Sequence, residues 1–364
     1  MRLSQITTRS FRNLSPDPFS FGPGITLVTG DNAQGKTNLL EAVAAVCGQP
    51  SFRRAAPADM SSDGRAFSVS AAVCGGGRVE ALEVAWSQGA GRRFARAGKT
   101  ISFREASRLA PAIFLSPEHR ALLTDSPALR RGFLDRLALA VRPAAGEDLE
   151  RYRGALRERN ALLSRLRDGG SGSEELEAWT EELIRSGTAV RRHRQQALAQ
   201  WLELFRPLAR EAGPAFAAVE VDIVADGETE EELRASFERV AAAERRRGHT
   251  LAGPHRDDLA FTRGGSPFAA QASAGEIHRA VALAKLTEWQ AVAKAQGEAP
   301  LFAIDEFDSG LSAGAVEELW GWLPPAETIL LTTASDSSRW RRRTGSVLEI
   351  RAGAVRERPR AVND

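Results

Sequence analysis

The feature that most constrains this chain is Gly30-Asp31-Asn32-Ala33-Gln34-Gly35-Lys36-Thr37, set between an apolar run, Ile25-Thr26-Leu27-Val28, and a helix-like segment, Leu39-Leu40-Glu41-Ala42-Val43. A strand feeding a glycine-framed loop and then a helix points this region to an α/β fold. The same geometry turns successive backbone N–H groups inward and aims the positive end of the helix at one point, which suits a polyphosphate. Lys36 would reach the outer phosphates and act in catalysis, and the Thr37 hydroxyl would ligate Mg²⁺. Asn38 closes the expected nucleotide-binding stretch. The spacing predicts a nucleoside triphosphate site.

At 364 residues the chain exceeds the usual single-core limit, so it predicts either one large core with a second lobe or two domains. A hydrophobic fraction of 43% and a charged fraction of 26% exclude only disordered and fibrous classes. Formal net charge is +2, which supplies no overall drive toward nucleic acid; any such surface must come from local clustering. Cys47 and Cys74 lack the spacing of a metal site and read as buried free thiols in a reducing cytoplasm. The opening, Met1-Arg2-Leu3-Ser4-Gln5, is no basic-then-apolar leader, and no apolar run is long enough to cross a bilayer. The expectation is a cytoplasmic protein without a membrane partner.

Pattern changes divide the chain. Leu3 to Val28 reads as strand, loop, strand; Phe67 to Trp86 reads as a hairpin turned by Gly75-Gly76-Gly77; Ala112-Ile113-Phe114-Leu115 is a further strand. Helical spacing follows at Leu129, Phe133, Leu134, Leu137 and Val141, then at Tyr152, Leu156, Leu163 and Leu166. After a break at residues 167–173 it resumes from Leu176 through Trp179, Leu183, Trp201 and Phe205, predicting two antiparallel helices across a glycine-rich turn. From Leu251 onward β/α alternation returns, with strands at 259–262, 300–304 and 329–332 and helices at 274–295 and 313–322. The organisation predicted is a split nucleotide domain, residues 1–115 and 249–364, with a helical lobe at 116–248.

The second half of the expected site is Leu301-Phe302-Ala303-Ile304-Asp305-Glu306, an apolar strand ending in two carboxylates. Asp305 would hold the Mg²⁺ coordination sphere, and Glu306 would orient or deprotonate the attacking water. Upstream, Gln271-Ala272-Ser273-Ala274-Gly275-Glu276 opens a helix with Ser273 and Glu276 spaced as a capping box. Placed before the acidic strand of a phosphate-loop protein, it resembles the signature motif of ABC-type ATPases. That resemblance implies Ser273, Ala274, Gly275 and Glu276 acting in trans on ATP held by a second copy, with Asp308 and Ser309 at the D-loop position. Ala272 stands where the family has a large apolar residue, and Ala274 where it has its first glycine. Transporter-type members carry a histidine after the next strand; Leu330-Leu331-Thr332-Thr333-Ala334-Ser335 has none.

Three further stretches narrow the match: Ser10-Phe11-Arg12-Asn13-Leu14; Phe114-Leu115-Ser116-Pro117-Glu118 followed by Arg130-Arg131-Gly132-Phe133-Leu134-Asp135; and Gly253-Pro254-His255-Arg256-Asp257-Asp258. With the nucleotide motifs, in this order and over nearly the whole chain, they resemble the bacterial RecF family. The resemblance implies an α/β Rad50-like P-loop ATPase head with an inserted helical lobe and a short antiparallel arm. It also implies ATP and Mg²⁺ as cofactors, an ATP-dependent homodimer, and slow DNA-stimulated hydrolysis. Binding of duplex DNA near single-strand gaps, cooperation with RecR and RecO to load RecA, and nucleoid association follow from the same source.

Read from the residues alone, His255 with its charged neighbours suits a structural hydrogen-bond network or a surface polar turn before the strand at Leu259 more than a general base or ligand. DNA contact is placed only coarsely, at Arg53, Arg54, Arg130, Arg131, Arg191 and Arg192, with Arg92-Arg93 and Arg245-Arg246-Arg247 as further basic clusters. Each cluster also suits a solvated helix face, since Glu181-Glu182 and Glu230-Glu231-Glu232 balance the charge. The competing functions are the energising subunit of a membrane transporter, a chromosome-organising ATPase with long coiled coils, and a small-molecule kinase. The missing histidine, the short insertion and the signature-like helix start argue against each in turn.

Overall fold

The structure, a computed structural model, describes residues 1–75, 78–334 and 338–357; Gly76-Gly77 of the expected hairpin turn and Ser335 lie outside these. Two compact units emerge: Met1–Arg120 with the chain from Ala274 onward, and Ala121–Ser273.

The first unit, the head, begins with β1 (Arg2–Arg9), β2 (Phe19–Ser20), β3 (Gly24–Thr29), α1 (Lys36–Val46) and α2 (Pro57–Met60). It continues through β4 (Ala66–Gly75), β5 (Arg78–Ser87), β6 (Gly91–Arg96), β7 (Lys99–Ile101), α3 (Phe103–Leu109) and β8 (Ala112–Leu115). One sheet, in the order β2-β1-β4-β5-β6-β7, is antiparallel throughout. Its strands alternate as a one-sided sheet should: Phe67, Val69, Ala71 and Val73 are buried, and Ser68 and Ser70 between them face away from the core.

The second unit holds α4 (Ala121–Thr124), α5 (Pro127–Val141), α6 (Ala145–Arg167), α7 (Ser173–Glu211), α8 (Pro214–Ala217) and β9 (Val219–Val224). It closes with α9 (Glu230–Arg247), β10 (Asp258–Arg263), β11 (Ser266–Pro267) and α10 (Phe268–Gln271). The predicted helical pair is α6 and α7, joined at the glycine-rich turn and packed near its tip by Leu162, Leu163 and Leu176. With 39 residues, α7 is roughly 58 Å long at 1.5 Å per residue. Its second half is packed on α5, where Trp201 stacks on Phe205 at 4.5 Å and meets Phe133 edge-on at 5.8 Å.

The head resumes with α11 (Ala274–Gln296), β12 (Leu301–Ile304), α12 (Ala313–Gly321), β13 (Thr328–Thr333), α13 (Ser338–Arg341), β14 (Ser346–Arg351) and β15 (Ala354–Glu357). Its second sheet runs β15-β14-β3-β13-β12-β8, parallel except for the β14–β15 hairpin. Every residue of β8, β12 and β13 is buried; β8 and β12 accordingly read as unbroken apolar runs, and β13 as an apolar centre flanked by threonines. α1 packs on β4 and β5 and also on β13, so it is buried nearly all round and carries no polar stripe.

Besides the short elements α4, α8, β11 and α10, two longer ones of the second unit escaped the sequence reading, β9 and α9. The acidic run Glu230-Glu231-Glu232 is the first turn of α9, complementing the helix dipole. It is closed by a capping box in which Thr229 Oγ1 accepts from the Glu232 amide and Glu232 accepts from the Thr229 amide. The lobe boundary moves with β9: β10 pairs antiparallel with it from Asp258–Val224 to Arg263–Val219, so residues 249–273 belong to the lobe and not to the C-terminal part of the head.

The stretch at residues 253–258 is a charged hub. Asp257, 1% exposed, accepts from Arg191 at 2.6 and 3.1 Å and from Arg194 at 3.1 Å. Its backbone carbonyl accepts from Arg131 at 2.8 Å, while Asp258 takes a two-point contact from Arg130 at 2.6 and 3.0 Å. His255 Nδ1 lies 2.7 Å from the Tyr152 hydroxyl, and burial lowers its pKa. Three of the arginines expected at DNA are therefore occupied inside the lobe: Arg191 is 2% exposed, and Arg130 and Arg131 are held by the strand start they secure. Arg192, the next residue round the helix, is exposed.

Asp257→Asn removes one charge from a buried set and leaves Arg191 and Arg194 undercompensated. Loss of about 3–5 kcal/mol of stability is the expected result, read as a fall in the urea midpoint at unchanged slope.

Candidate nucleotide site

The loop between β3 and α1 is shaped by three close approaches. Gly30, at φ 144°, runs so near β14 that an added Cβ would lie 2.3 Å from the Ile350 carbonyl oxygen. Gly35, at φ 119°, is the N-cap of α1 and faces Asn13 Oδ1. The β14–β15 turn grips the loop from behind: the Ala352 amide donates to Gln34 Oε1 at 2.7 Å and the Gly353 amide to the Gln34 carbonyl at 2.9 Å. An added Cβ on Gly353 would lie 1.7 Å from the Asn13 carbonyl oxygen, so only glycine fits.

Lys36 is 6% exposed, and its ammonium donates to the carbonyls of Gly30 at 2.7 Å and Asp31 at 2.8 Å. Burial lowers its pKa, against the pull of Asp305, Glu306, Asp31 and Asp308. Thr37 opens α1 and donates to Asp305 Oδ1 at 3.1 Å. That oxygen also accepts from Thr332 Oγ1 at 2.6 Å, and Thr332 Oγ1 in turn accepts from the Glu306 amide at 2.8 Å. Burial raises the Asp305 pKa; the Thr332 and Thr37 hydrogen bonds oppose the shift, and nearby Glu306 and Glu118 add to it. Glu306 itself sits at φ 50°, a left-handed conformation for a non-glycine residue, and is only half-buried.

Parallel pairing explains the convergence. β12 lies between β8 and β13, and β3 is the next strand beyond β13, so the ends of all four point the same way. Asp305, the first residue past β12, is fixed by its amide to the Leu115 carbonyl at 2.8 Å. The acidic pair thereby meets the phosphate loop, as the sequence pattern predicts. Asp308 joins through Thr333 Oγ1 at 2.8 Å, and Ser309 is exposed beside it. A buried carboxylate and a hydroxyl make a hard-oxygen pair suited to Mg²⁺ shared with phosphate oxygens.

Sequence reasoning missed Thr332, which binds both positions of the acidic pair. Its signal was the Thr332-Thr333 pair at the end of an otherwise apolar strand. It also missed buried Glu41 of α1, which accepts from Arg12 at 2.9 and 3.1 Å and from Arg53 at 2.9 Å. Arg53 additionally contacts Asn38, whose amide donates to Asn13 at 2.7 Å. Arg53 is thus part of the scaffold behind the phosphate loop, and Arg54 is exposed.

The signature stretch straddles the boundary between the two units. Ser273 is exposed immediately before α11, and a Cβ on Gly275 in the first turn would meet no atom within 4 Å. Four residues after Ala274, buried His278 has its Nδ1 3.2 Å from Arg120, and a Cβ on Gly310 would lie 3.6 Å from the same guanidinium.

An AAA-domain family profile matches residues 5–104. The chain is 34% identical over 317 residues to the DNA replication and repair protein RecF of Deinococcus deserti, a match covering 85% of this chain and 84% of that relative. This chain belongs to the RecF family. RecF of Thermosynechococcus vestitus matches at 30% identity over 98% of this chain and 97% of its own. A solved structure of the recombination mediator protein RecF with ATP, from the RecFOR pathway, superposes with a TM-score of 0.88 at 24% identity, covering 98% of this chain and 97% of that one. The Smc head domain of Pyrococcus furiosus superposes at 0.51 with 14% identity, covering 97% and 95%. The fold is the ABC-type ATPase head that RecF shares with SMC heads, with the helical lobe inserted. Among the described residues no helix is long and apolar enough to cross a membrane.

Asp305 has a folded-state pKa above its unfolded value, so the folded chain binds the proton more tightly, and stability rises as pH falls through the folded pKa. Above that pKa the ionised carboxylate is a net burden on folding. Asp305→Asn should therefore raise the melting temperature of the nucleotide-free protein at neutral pH while removing Mg²⁺-dependent ATP binding. Thr332→Val should do the reverse for stability, lowering it by about 1–3 kcal/mol because Asp305 and the Glu306 amide lose a partner. Calorimetry on the two variants separates these effects.

Proposed function

We propose that this protein is an ATP-gated DNA clamp of recombinational repair. The observation that carries the reading is the convergence of Lys36, Thr37, Asp305 and Glu306 in a RecF-family chain whose Ser273 is exposed and whose Gly275 has open space in front of its Cα. In this reading Gly30 to Asn38 enclose the triphosphate, Lys36 neutralises its outer phosphates, and Thr37 and Asp305 hold Mg²⁺. The bound cation supplies charge neutralisation on the phosphates. Glu306 positions the attacking water from a left-handed backbone conformation just past the end of β12.

Ser273, Ala274, Gly275 and Glu276 cap the γ-phosphate held by a second copy, so ATP joins two heads and hydrolysis releases them. Asp308 and Ser309 lie at the position from which each head senses the other. Closure encloses duplex DNA near single-strand gaps, and hydrolysis is slow and DNA-stimulated. RecR with RecO acts on the DNA-bound dimer to load RecA. Solved RecF belongs to the RecFOR pathway, which supports this assignment of partners. The protein works in the cytoplasm on the nucleoid.

Sedimentation with Mg²⁺ and a non-hydrolysable ATP analogue, with and without a gapped duplex, tests the reading. A nucleotide-dependent dimer that retains DNA is expected for the native chain and for Glu306→Gln. Ser273→Arg should bind ATP but stay monomeric, and Lys36→Met should lose nucleotide affinity. A dimer in the Ser273→Arg sample would rule out capping in trans.

A further inference from the structure

The outer face of the antiparallel sheet carries a groove of about 390 Å³, lined by Arg9, Ser10, Ser68, Trp86, Ser87 and Arg93 among others. Register builds it. Arg9 pairs with Ser68, Ser68 with Ala85, and Ala85 with Arg93, so one row across β1, β4, β5 and β6 begins and ends in an arginine and has only small side chains between. Both arginines are exposed, and among the described residues neither is held in an ion pair or a side-chain hydrogen bond. Three strand spacings separate their backbones, about 14 Å at 4.8 Å per step. The next row on this face, Thr7-Ser70-Glu83-Ala95, contains one carboxylate, which bounds the basic zone on that side.

The geometry points to this groove as a seat for the DNA phosphodiester backbone on the head. It rests on the clamp reading above and adds where the head holds the polymer. Two exposed guanidiniums on backbones three strands apart, at the two ends of one open row, suit two phosphates of a polymer. The trough opens to solvent instead of closing over a ligand, as a passing strand requires. Its floor offers the hydroxyls of Ser10, Ser68 and Ser87, donors that contact phosphate and sugar oxygens without reading sequence. The contact is therefore sequence-independent and salt-sensitive.

The test is fluorescence anisotropy of a labelled gapped duplex across a range of KCl concentrations, with the ATP analogue present, comparing the native chain with the double variant Arg9→Gln, Arg93→Gln. Each lost phosphate contact flattens the log–log salt dependence by about 0.9, so the double variant should be shallower by roughly 1.8 and bind more weakly. Unchanged melting temperature and ATP binding establish that the variant is folded. A double variant with native affinity and slope would overturn the groove assignment and leave the clamp reading standing. A native chain that binds no DNA with the nucleotide present would overturn both.

Discussion

The carboxylate of Asp305, 4% exposed at the end of a parallel strand, sets the conditions for everything around it. A charge in such a place is unfavourable unless hydrogen-bonded, and its partners come from two separate segments, Thr37 at the start of α1 and Thr332 on β13. Phosphate loop and strand end are therefore fixed relative to one another by a single oxygen. Thr332 extends the constraint by accepting the Glu306 amide, and Thr333 extends it again to Asp308. The residues from Asp305 to Asp308 form one hydrogen-bonded bend in which no member shifts alone. A cation binding at Asp305 would pull on that bend. Gly310, just beyond it, lies against Arg120, which also meets His278 of α11, so the acidic bend and α11 share a neighbour within the head.

The helical lobe solves a different problem. Asp257 is buried as deeply as Asp305 but is paired with guanidinium groups, two of them on α7, and Arg159 with Glu244 repeats the device elsewhere, both nearly inaccessible. Paired buried charges contribute little net stability over an apolar packing of the same shape, yet a wrong register leaves one of them unmatched. Here they fix the loop at 253–258 against α5, α6 and α7, and so fix where β10 starts. The strand then pairs with β9, and the lobe ends at Ser273.

The parts legible in the sequence share a physical origin. Gly30 to Thr37 and Leu301 to Glu306 are local patterns whose function follows once strands are parallel, and full burial makes those strands unmistakable. Long amphipathic helices such as α6 and α7 were equally plain. What escaped depends on partners distant in sequence. β9 alternates weakly, with Val224 exposed, and becomes a strand by pairing with β10. Thr332 gains its role from Asp305, 27 positions away, and Glu41 looks like any acidic residue on a helix until Arg12 and Arg53 close on it. For His255 the sequence left a hydrogen-bond network and a surface polar turn both open, and its contacts with Tyr152 and the Thr250 carbonyl decide for the network.

Arginine shows the difference most sharply. Runs such as Arg130-Arg131 and Arg191-Arg192 look like the natural footprint of a polyanion, but in a chain of net charge +2 acidic residues are available to pair them, and the fold uses much of that charge internally. On α7 one guanidinium is buried against a carboxylate and its sequence neighbour faces solvent, as Arg191 and Arg192 do, whereas on α5 both Arg130 and Arg131 are held. In a sheet the logic inverts. Residues far apart in the sequence, Arg9 and Arg93, are brought to one face by strand register, and the small residues between them leave their charge open. For a protein of balanced composition, the basic surface is therefore to be sought where register gathers arginines that no carboxylate holds, whether they stand alone, as Arg9 does, or belong to a sequence pair, as Arg93 does.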